Sequence, residues 1–574
     1  MRVHLASFPN LIYVEILDIK VHLTFRGYFF QYVFDTKMPK ARQQPSELRT
    51  TVVPLEIMKY LNLQGLREQA QKHWGIRNLQ PFFPCLETLF KLDELRIPFH
   101  YGLRMRRTVQ TIASPDTIFF NSTETTIHRK TTMLLSPWKW MRGEFGSSGL
   151  PVNAETSTEI REKLQSKHNA AYVGALISCA LSDSGCNHFP AVFGTFVGLC
   201  ETFVLNISDD YEELCESRWF SQNIGHFFDL RIKESLQHRS SQQQALTIEN
   251  DDSLMIEATV LEPIDVPRGP IQPAAWQNDE DSQEDDVSVS DSTTTDDVFD
   301  IESCGTSDAP IGVEDDEEEP FAHALFKDVQ VQTTLLEKCE GTLYRLLKEE
   351  KRTEVRLACV TQVVFALAYA QRNYGFVHND LHVNNVMYVR TTAQFLYYTH
   401  AGVFYKVPTY GYLMKIIDFD RATFSLRLPG MRESKFFMSD QFHPNEEAGG
   451  QYNTDPFYVS KYPEIKPNAS FDLVRLATSM FWDCFPEGPF CSEYSSDPLF
   501  KLLMQWMSLP GGKSIMFRNV SKKDAHEPYH GFDLYKAIAR YCKDTAVPRK
   551  QTELFSLFRT DRVPSGDTAL FIDV

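Results

Sequence analysis

The 574-residue sequence predicts an α+β protein in which strands come first and helices dominate the second half, with an acidic stretch between them. Three observations predict it. Short β-branched and aromatic runs crowd the chain up to residue 205. Apolar residues at helical spacing recur after residue 355. Between Asp279 and Glu319 stand 18 Asp/Glu and no Lys or Arg, a composition that buries too little apolar surface to offset its ordering entropy.

Taken in order, residues 1–95 read as an N-terminal extension. It opens on strand-like runs (LIYVEILDIKVHLTF, GYFFQYVF) and continues with helical spacing in PLEIMKYLNLQGLREQAQKHW. Residues 96–205 offer short strands (TVQTIA, DTIFFN, TTMLL), then a long helix from about Ser157 to Leu181, then the strand AVFGTFVGLC. Residues 206–325 read as an acidic, largely disordered insertion with a helical piece around Tyr211 to Leu236. Order resumes in VQVQTTLLEKCEGTLYRLLKE, at 329–349, a strand running into a short helix. Residues 346–574 read as mainly helical. Val360, Val363, Val364, Leu367 and Ala370 predict a helix buried along one face that ends near Gly375, and a hairpin (FLYYTHAGVFYKVPTYG) and the strand YLMKIIDFD follow.

The net charge of −18 is local, since the 18 acids of the insertion account for all of it and the remaining chain sums to zero. A concentrated acidic segment repels phosphates, which argues against a nucleic-acid ligand. The 11 cysteines include no CxxC pair and no zinc spacing, which suits reduced thiols inside a cell. The N-terminus mixes acids into its apolar run and so makes a poor signal peptide. No run approaches the ~20 apolar residues of a membrane span. The expectation is a soluble intracellular protein with no membrane partner.

The chemistry concentrates in FVHNDLHVNN. His378, Asp380 and Asn385 stand as H-x-D-x-x-x-x-N between a helix and a short strand, and the apolar strand MKII later delivers Asp418 in DFD. Phosphoryl transfer needs a carboxylate to orient and deprotonate the acceptor hydroxyl, and oxygen ligands to hold magnesium against the phosphates. Asp380 suits the first task; Asn385 and Asp418 suit the second. LPGGKS at 509–514 is no phosphate loop, because G-x-x-x-x-G-K-[ST] requires glycine where Met507 stands.

HNDLHVNN and DFD resemble the H-R-D-L-x-x-x-N and D-F-G elements of the protein-kinase superfamily. VPTYGYLMKIIDFDRA, GQYN and PNASFDLVRLA resemble runs in the serine/threonine kinases of large DNA viruses. The resemblance covers 326–574 well and 96–205 loosely. It implies a bilobal fold: 96–205 forms the first part of a small β-rich lobe, 326–345 its end and the hinge, and 346–574 the large helical lobe. It further implies ATP and Mg2+ as cofactors, a protein substrate, and a location in host cytoplasm, nucleus or virion. Asp380 would be the catalytic base, with Asn385 and Asp418 as metal ligands. His378 and Asp472 would support the loop, Asp472 through its backbone. Leu336 would be the gatekeeper and Cys339 an adenine contact. The nucleotide lysine would be Lys130, with Lys139 the alternative, and its helix partner Glu159 or Glu162.

The sequence also departs from the kinase pattern. IASPDTIFF stands where a glycine-rich loop belongs and puts Asp116 near the phosphates. Asp420 replaces the D-F-G glycine, and His382 replaces a lysine usual in serine/threonine kinases. A pseudokinase scaffold and a small-molecule kinase therefore stay open beside the protein kinase.

Overall fold

The computed structural model describes residues 55–81, 83, 85–90, 100–146, 158–233, 320–428, 431–459, 465–517, 529, 531–564 and 566–572, with the backbone of three strands nearer the N-terminus. Those three, Leu11–Ile16, Ile19–Thr24 and Tyr32–Val33, form an antiparallel sheet in chain order within a unit spanning Met1–Arg49. Residues Thr50–Val574 form the other unit, a mixed α+β structure.

In the larger unit, α1 (Leu63–Trp74) ends on Gly75, whose φ of 63° is open to glycine at little cost. It leads into β1 (Ile76–Gln80), and β2 (Thr111–Ser114), β3 (Thr117–Phe120) and β4 (Thr123–Met133) follow as successive antiparallel strands. Helix α2 (Ala170–Asp183) is capped by Asn169, whose side chain accepts from the Ala171 amide. Strands β5 (Val192–Asn206), β6 (Asp229–Ile232) and β7 (Ala322–Glu337) complete a seven-stranded sheet in the order β1-β5-β7-β4-β3-β2, with β6 also on β7. Its register sets Lys130 opposite Thr334, two residues before Leu336.

Two hydrophobic cores result. Ile76, Leu79, Phe196, Phe326 and Val331 are buried in a core that the sheet shares with Leu66 and Ala70 of α1. The larger core gathers α2, α3 (Leu343–Glu349), α4 (Thr353–Tyr374) and α5 (Phe471–Cys484) around the segment that carries Asp380. Strands β8 (Val386–Arg390) and β9 (Tyr412–Ile416) pair antiparallel and lead from that segment to Asp418. The predicted hairpin forms between them, Phe395–His400 against Val403–Pro408.

Four sequence expectations need correction. The sheet starts before residue 96: within the expected N-terminal extension, Ile76–Gln80 supplies strand β1, which pairs with β5, Ile76 opposite Cys200. The insertion begins later than residue 206: β5 runs to Asn206, and helices Tyr211–Glu216 and Arg218–Asn223 and strand β6 follow, their Leu214 and Phe220 buried in the sheet's core. It also ends before β7 opens at Ala322. The acidic run 279–319 lies outside the described residues. The helix expected from Ser157 to Leu181 is two, Thr158–Gln165 and α2, because Asn169 caps the second and restarts the ladder. Finally, α4 is buried on all sides, with Val360, Val363, Val364, Leu367 and Ala370 fully enclosed and Thr361 and Gln362 as well. Its polar residues are satisfied internally: Thr361 donates to the Leu357 carbonyl, and Gln362 bonds the backbone of Tyr412 and Met414. Among the described residues α4 alone has the length and composition to cross a membrane, and 89% of its apolar window is buried inside the protein.

Candidate active site

Gly375, at φ 57°, stops α4 and turns the chain into the segment Phe376–Asn385. This segment is built rigidly from polar groups. The fully buried Asp472, in the first turn of α5, accepts from the backbone amides of His378 (2.9 Å) and Asn379 (3.0 Å). His378 donates through Nε2 to the Ile417 carbonyl (2.7 Å) and accepts at Nδ1 from the Asp380 amide (3.3 Å), which fixes one neutral tautomer. It thereby ties the backbone of Asp380 to the residue before Asp418. Asn379 takes φ 66° and Asp418 φ 62°, a region that Asn and Asp tolerate better than most residues. The Asn379 side chain is held too, accepting from the Tyr452 hydroxyl (2.7 Å) and donating to the Arg421 carbonyl (2.9 Å).

The sheet brings Lys130 to this frame. Its ammonium lies 2.6 Å from Asp418 Oδ1 and 2.9 Å from Asp420 Oδ1. Burial works against the charge on Lys130, but the two carboxylates outweigh it and raise its pKa. Burial likewise opposes ionisation of Asp418; the Lys130 contact prevails and pulls it down to about 2. Asp420 goes the other way, raised by burial and by Asp418 beside it. Asp380, Asp418, Asp420 and Arg421 line an open cavity. Lys130, Asp418 and Asp420 also line a smaller one with Gly174 and Leu336.

The chain matches no protein-family model, and no curated protein matches it at a significant level.

The sequence-predicted residues divide on this geometry. Asp380, Asn385, Asp418, Lys130, His378 and Asp472 come together, and Leu336 lines the Lys130 cavity. Cys339 lines neither cavity; it sits half-buried past the end of β7, where burial pushes its thiol up to about 12. Lys139 is engaged elsewhere, 2.9 Å from Glu446, which also meets Lys163. Lys130 is therefore the lysine that reaches Asp418. Glu162 is exposed, and the side chain of Glu159 lies outside the described residues. Asp116 is exposed at the β2–β3 turn and accepts from Ser114 Oγ and Thr117 Oγ1, contacts that, with Ser114 foremost, lower its pKa. The turn holds only Pro115 and Asp116 between strands, and Pro115 has no N–H to offer a phosphate.

Three residues escaped the sequence reading. Arg421 stands 3.7 Å from Asp380 Oδ2, and the Tyr535 hydroxyl donates to Asp380 Oδ1 (3.1 Å) while accepting from Arg475 (2.7 Å). Burial opposes the Asp380 carboxylate, but Arg421, His382 and Arg475 outweigh it and lower its pKa. Arg421 follows DFD directly and was visible as a charge beside the motif. Tyr535 lies 155 residues beyond Asp380, and no local pattern marks it.

For a divalent cation the donor chemistry fits. Asn385 donates through Nδ2 to the Asp380 carbonyl (2.8 Å), which leaves its amide oxygen as the acceptor, and Asp418 adds a carboxylate. One carboxylate and one neutral oxygen suit Mg2+, which takes its remaining ligands from phosphates and water. Among the described residues no cluster of three or more His, Cys, Asp or Glu forms a cage that would hold an ion alone.

Proposed function

We propose that the chain is an ATP- and Mg2+-dependent phosphotransferase with a bilobal, protein-kinase-like fold, acting on serine or threonine hydroxyls of a protein substrate, of the kind its motifs resemble in large DNA viruses. The observation that carries this is the meeting of Lys130, from the strand after the β2–β3 hairpin, with Asp418, beside a loop that presents Asp380 and Asn385 at kinase spacing. A lysine on that strand pairs nucleotide phosphates in kinases.

In this reading Lys130 binds phosphate oxygens, and Asp418 with the Asn385 amide oxygen holds the cation. Mg2+, when bound, neutralises charge on the transferring phosphoryl group. Asp380 accepts the proton of the acceptor hydroxyl. Its lowered pKa makes it a weak base, so its contribution is mainly orientation. His378 and Asp472 set the backbone from which Asp380 and Asn385 project, so the spacing between base and metal ligands is built into the fold.

A second reading, a nucleotide-binding scaffold without turnover, is favoured by the β2–β3 turn. Pro115 and Asp116 there replace an amide-rich loop with a missing donor and a negative charge.

Two measurements decide. Mg2+-dependent stabilisation by ATP is expected to raise the melting temperature, since ligand at a hundredfold excess over Kd adds about 2.7 kcal/mol. Phosphate transfer from radiolabelled ATP to generic proteins separates enzyme from scaffold. Lys130→Met is expected to abolish the ATP-dependent shift and Lys139→Met to leave it. A wild-type protein with neither binding nor transfer overturns the proposal.

A further inference from the structure

Kinases pair the nucleotide lysine with a glutamate from the neighbouring helix. Here the helix beside Lys130 is α2, and its residues facing the Lys130 cavity are Ala171, Gly174, Ala175 and Ser178, with no acid among them. The carboxylate that meets Lys130 besides Asp418 is Asp420, which stands where the D-F-G element has glycine.

The two departures touch. A Cβ built on Gly174 would collide with Asp420 Oδ1, the oxygen that lies 2.9 Å from the Lys130 ammonium. A side chain there would force the Asp420 carboxylate to move, since heavy atoms in contact need well over 3 Å. Gly174 takes no positive φ, so its value lies in this vacancy and not in backbone freedom. The missing helix carboxylate and the extra D-F-D carboxylate thus occupy one place, reached from opposite sides.

Resting on the phosphotransferase reading, we propose that Asp420, seated against Gly174, is the positioning carboxylate for Lys130 and takes the task that a helix glutamate has in kinases. Asp418 has two claims on it, Lys130 and the cation. With Asp420 as a standing partner, Lys130 stays aimed at the phosphates while Asp418 turns to the metal. Without Asp420, Lys130 collapses onto Asp418 and competes with Mg2+.

The test is a cycle in the full-length protein, reading the Kd for Mg–ATP by calorimetry at several Mg2+ concentrations, with the melting temperature as a folding control. Asp420→Gly is expected to weaken binding about tenfold to a hundredfold, the loss of one charge-assisted hydrogen bond, and to raise the Mg2+ requirement. Asp420→Asn, which keeps the side-chain volume, should shift both in the same direction. Gly174→Asp alone should also weaken binding, because its Cβ displaces Asp420. The double variant Gly174→Asp with Asp420→Gly should bind more tightly than either single one, since the aspartate oxygens, two bonds beyond the new Cβ, return a carboxylate to the same place. Should Gly174→Asp not fold, the double variant against Asp420→Gly alone decides. Asp420→Gly binding as wild type does, or a double variant within about twofold of the additive loss, overturns the assignment. Wild type that binds no Mg–ATP overturns the proposed function and this assignment together; wild type that binds, with a cycle showing no recovery, overturns the assignment alone.

Discussion

Asp472 offers a test of the frame that owes nothing to the proposed chemistry. Asp472→Ala strands two buried amides, His378 N–H and Asn379 N–H, now held at 2.9 and 3.0 Å. Each buried donor without a partner costs about 1–3 kcal/mol, so the pair sums to roughly 2–6 kcal/mol. Against this stands the discomfort of the carboxylate itself. Burial pushes Asp472 up to about 6, above its ordinary 3.8, although the bonds from the His378 and Asn379 amides pull the other way. The sign follows by linkage. A carboxyl whose folded pKa exceeds its unfolded one binds its proton more tightly in the folded chain. Its stabilising contribution is full below about pH 4 and is lost as pH rises to about 6. At about 1.36 kcal/mol per unit, wild type loses roughly 2 kcal/mol from this group between about pH 4.5 and 7.5, and the alanine variant does not.

Asp472→Ala should therefore destabilise by about 2–6 kcal/mol near pH 4.5 and by roughly 2 kcal/mol less near pH 7.5. Urea unfolding at both values, followed by tryptophan fluorescence, reads the midpoint and the m-value together. Equal midpoints for variant and wild type at both pH values would refute the claim that the two amides depend on this carboxylate. Equal losses at both would refute the sign.

Other outcomes follow from the same geometry. Asp418→Asn removes the charge at the cation site and should abolish Mg2+-dependent ATP binding while costing some stability through the lost Lys130 pair; a folded variant binding Mg–ATP unchanged would sink the metal-ligand assignment. Asp380→Asn should lower turnover by something like 10²–10⁴-fold with nucleotide affinity little changed, and equal turnover would misplace the catalytic residue. Asp440, which accepts from the Ala170 amide (3.0 Å), is pushed by burial up to about 7, with Lys163 pulling down and Glu446 pushing up. Its contribution too is present at low pH and lost as pH rises toward about 7, so Asp440→Asn should flatten the stability profile between about pH 4 and 7. An unchanged slope there would remove Asp440 from the titration.

The part of the site legible in the sequence was the part carried by contiguous chain. His378, Asp380 and Asn385 stand within eight residues, and Asp418 is delivered by a strand whose apolar run announces it. What escaped was set by pairing and packing across long separations. Lys130 and Lys139 look alike in sequence, and only the register of β4 on β7, Lys130 opposite Thr334, turns one toward Asp418 while Lys139 meets Glu446. Strand β1 was missed because its partner lies more than 100 residues away, at Cys200 opposite Ile76. The split of the helix before α2 was hidden because apolar spacing runs across Asn169, whose cap interrupts the ladder without interrupting the pattern. In α4 the spacing marked one face, yet burial on all sides left Thr361 and Gln362 looking like a solvent face.

The departures from kinase pattern then carry more information than the matches. Taken singly, a charged residue in place of a flexible glycine and a helix without its acid each weaken the case for nucleotide chemistry. Taken in space, Asp420 Oδ1 occupies the place a side chain at Gly174 would need, and Lys130 reaches that same oxygen. Burial and Asp418 both make this carboxylate costly to ionise, and Lys130 and Thr132 offset that cost. At the β2–β3 turn Pro115 removes a donor and Asp116 adds charge, and the hydrogen bonds to the Asp116 carboxylate come from its turn neighbours Ser114 and Thr117. On the proposed reading, the lysine side of the site is rebuilt with different residues, while the β2–β3 turn is not. That contrast makes the number of phosphates held, more than the presence of Lys130, the point on which turnover depends. An enzyme built this way should bind ATP and ADP with similar affinity, and a strong preference for ATP would show that the turn or another group supplies the missing donors.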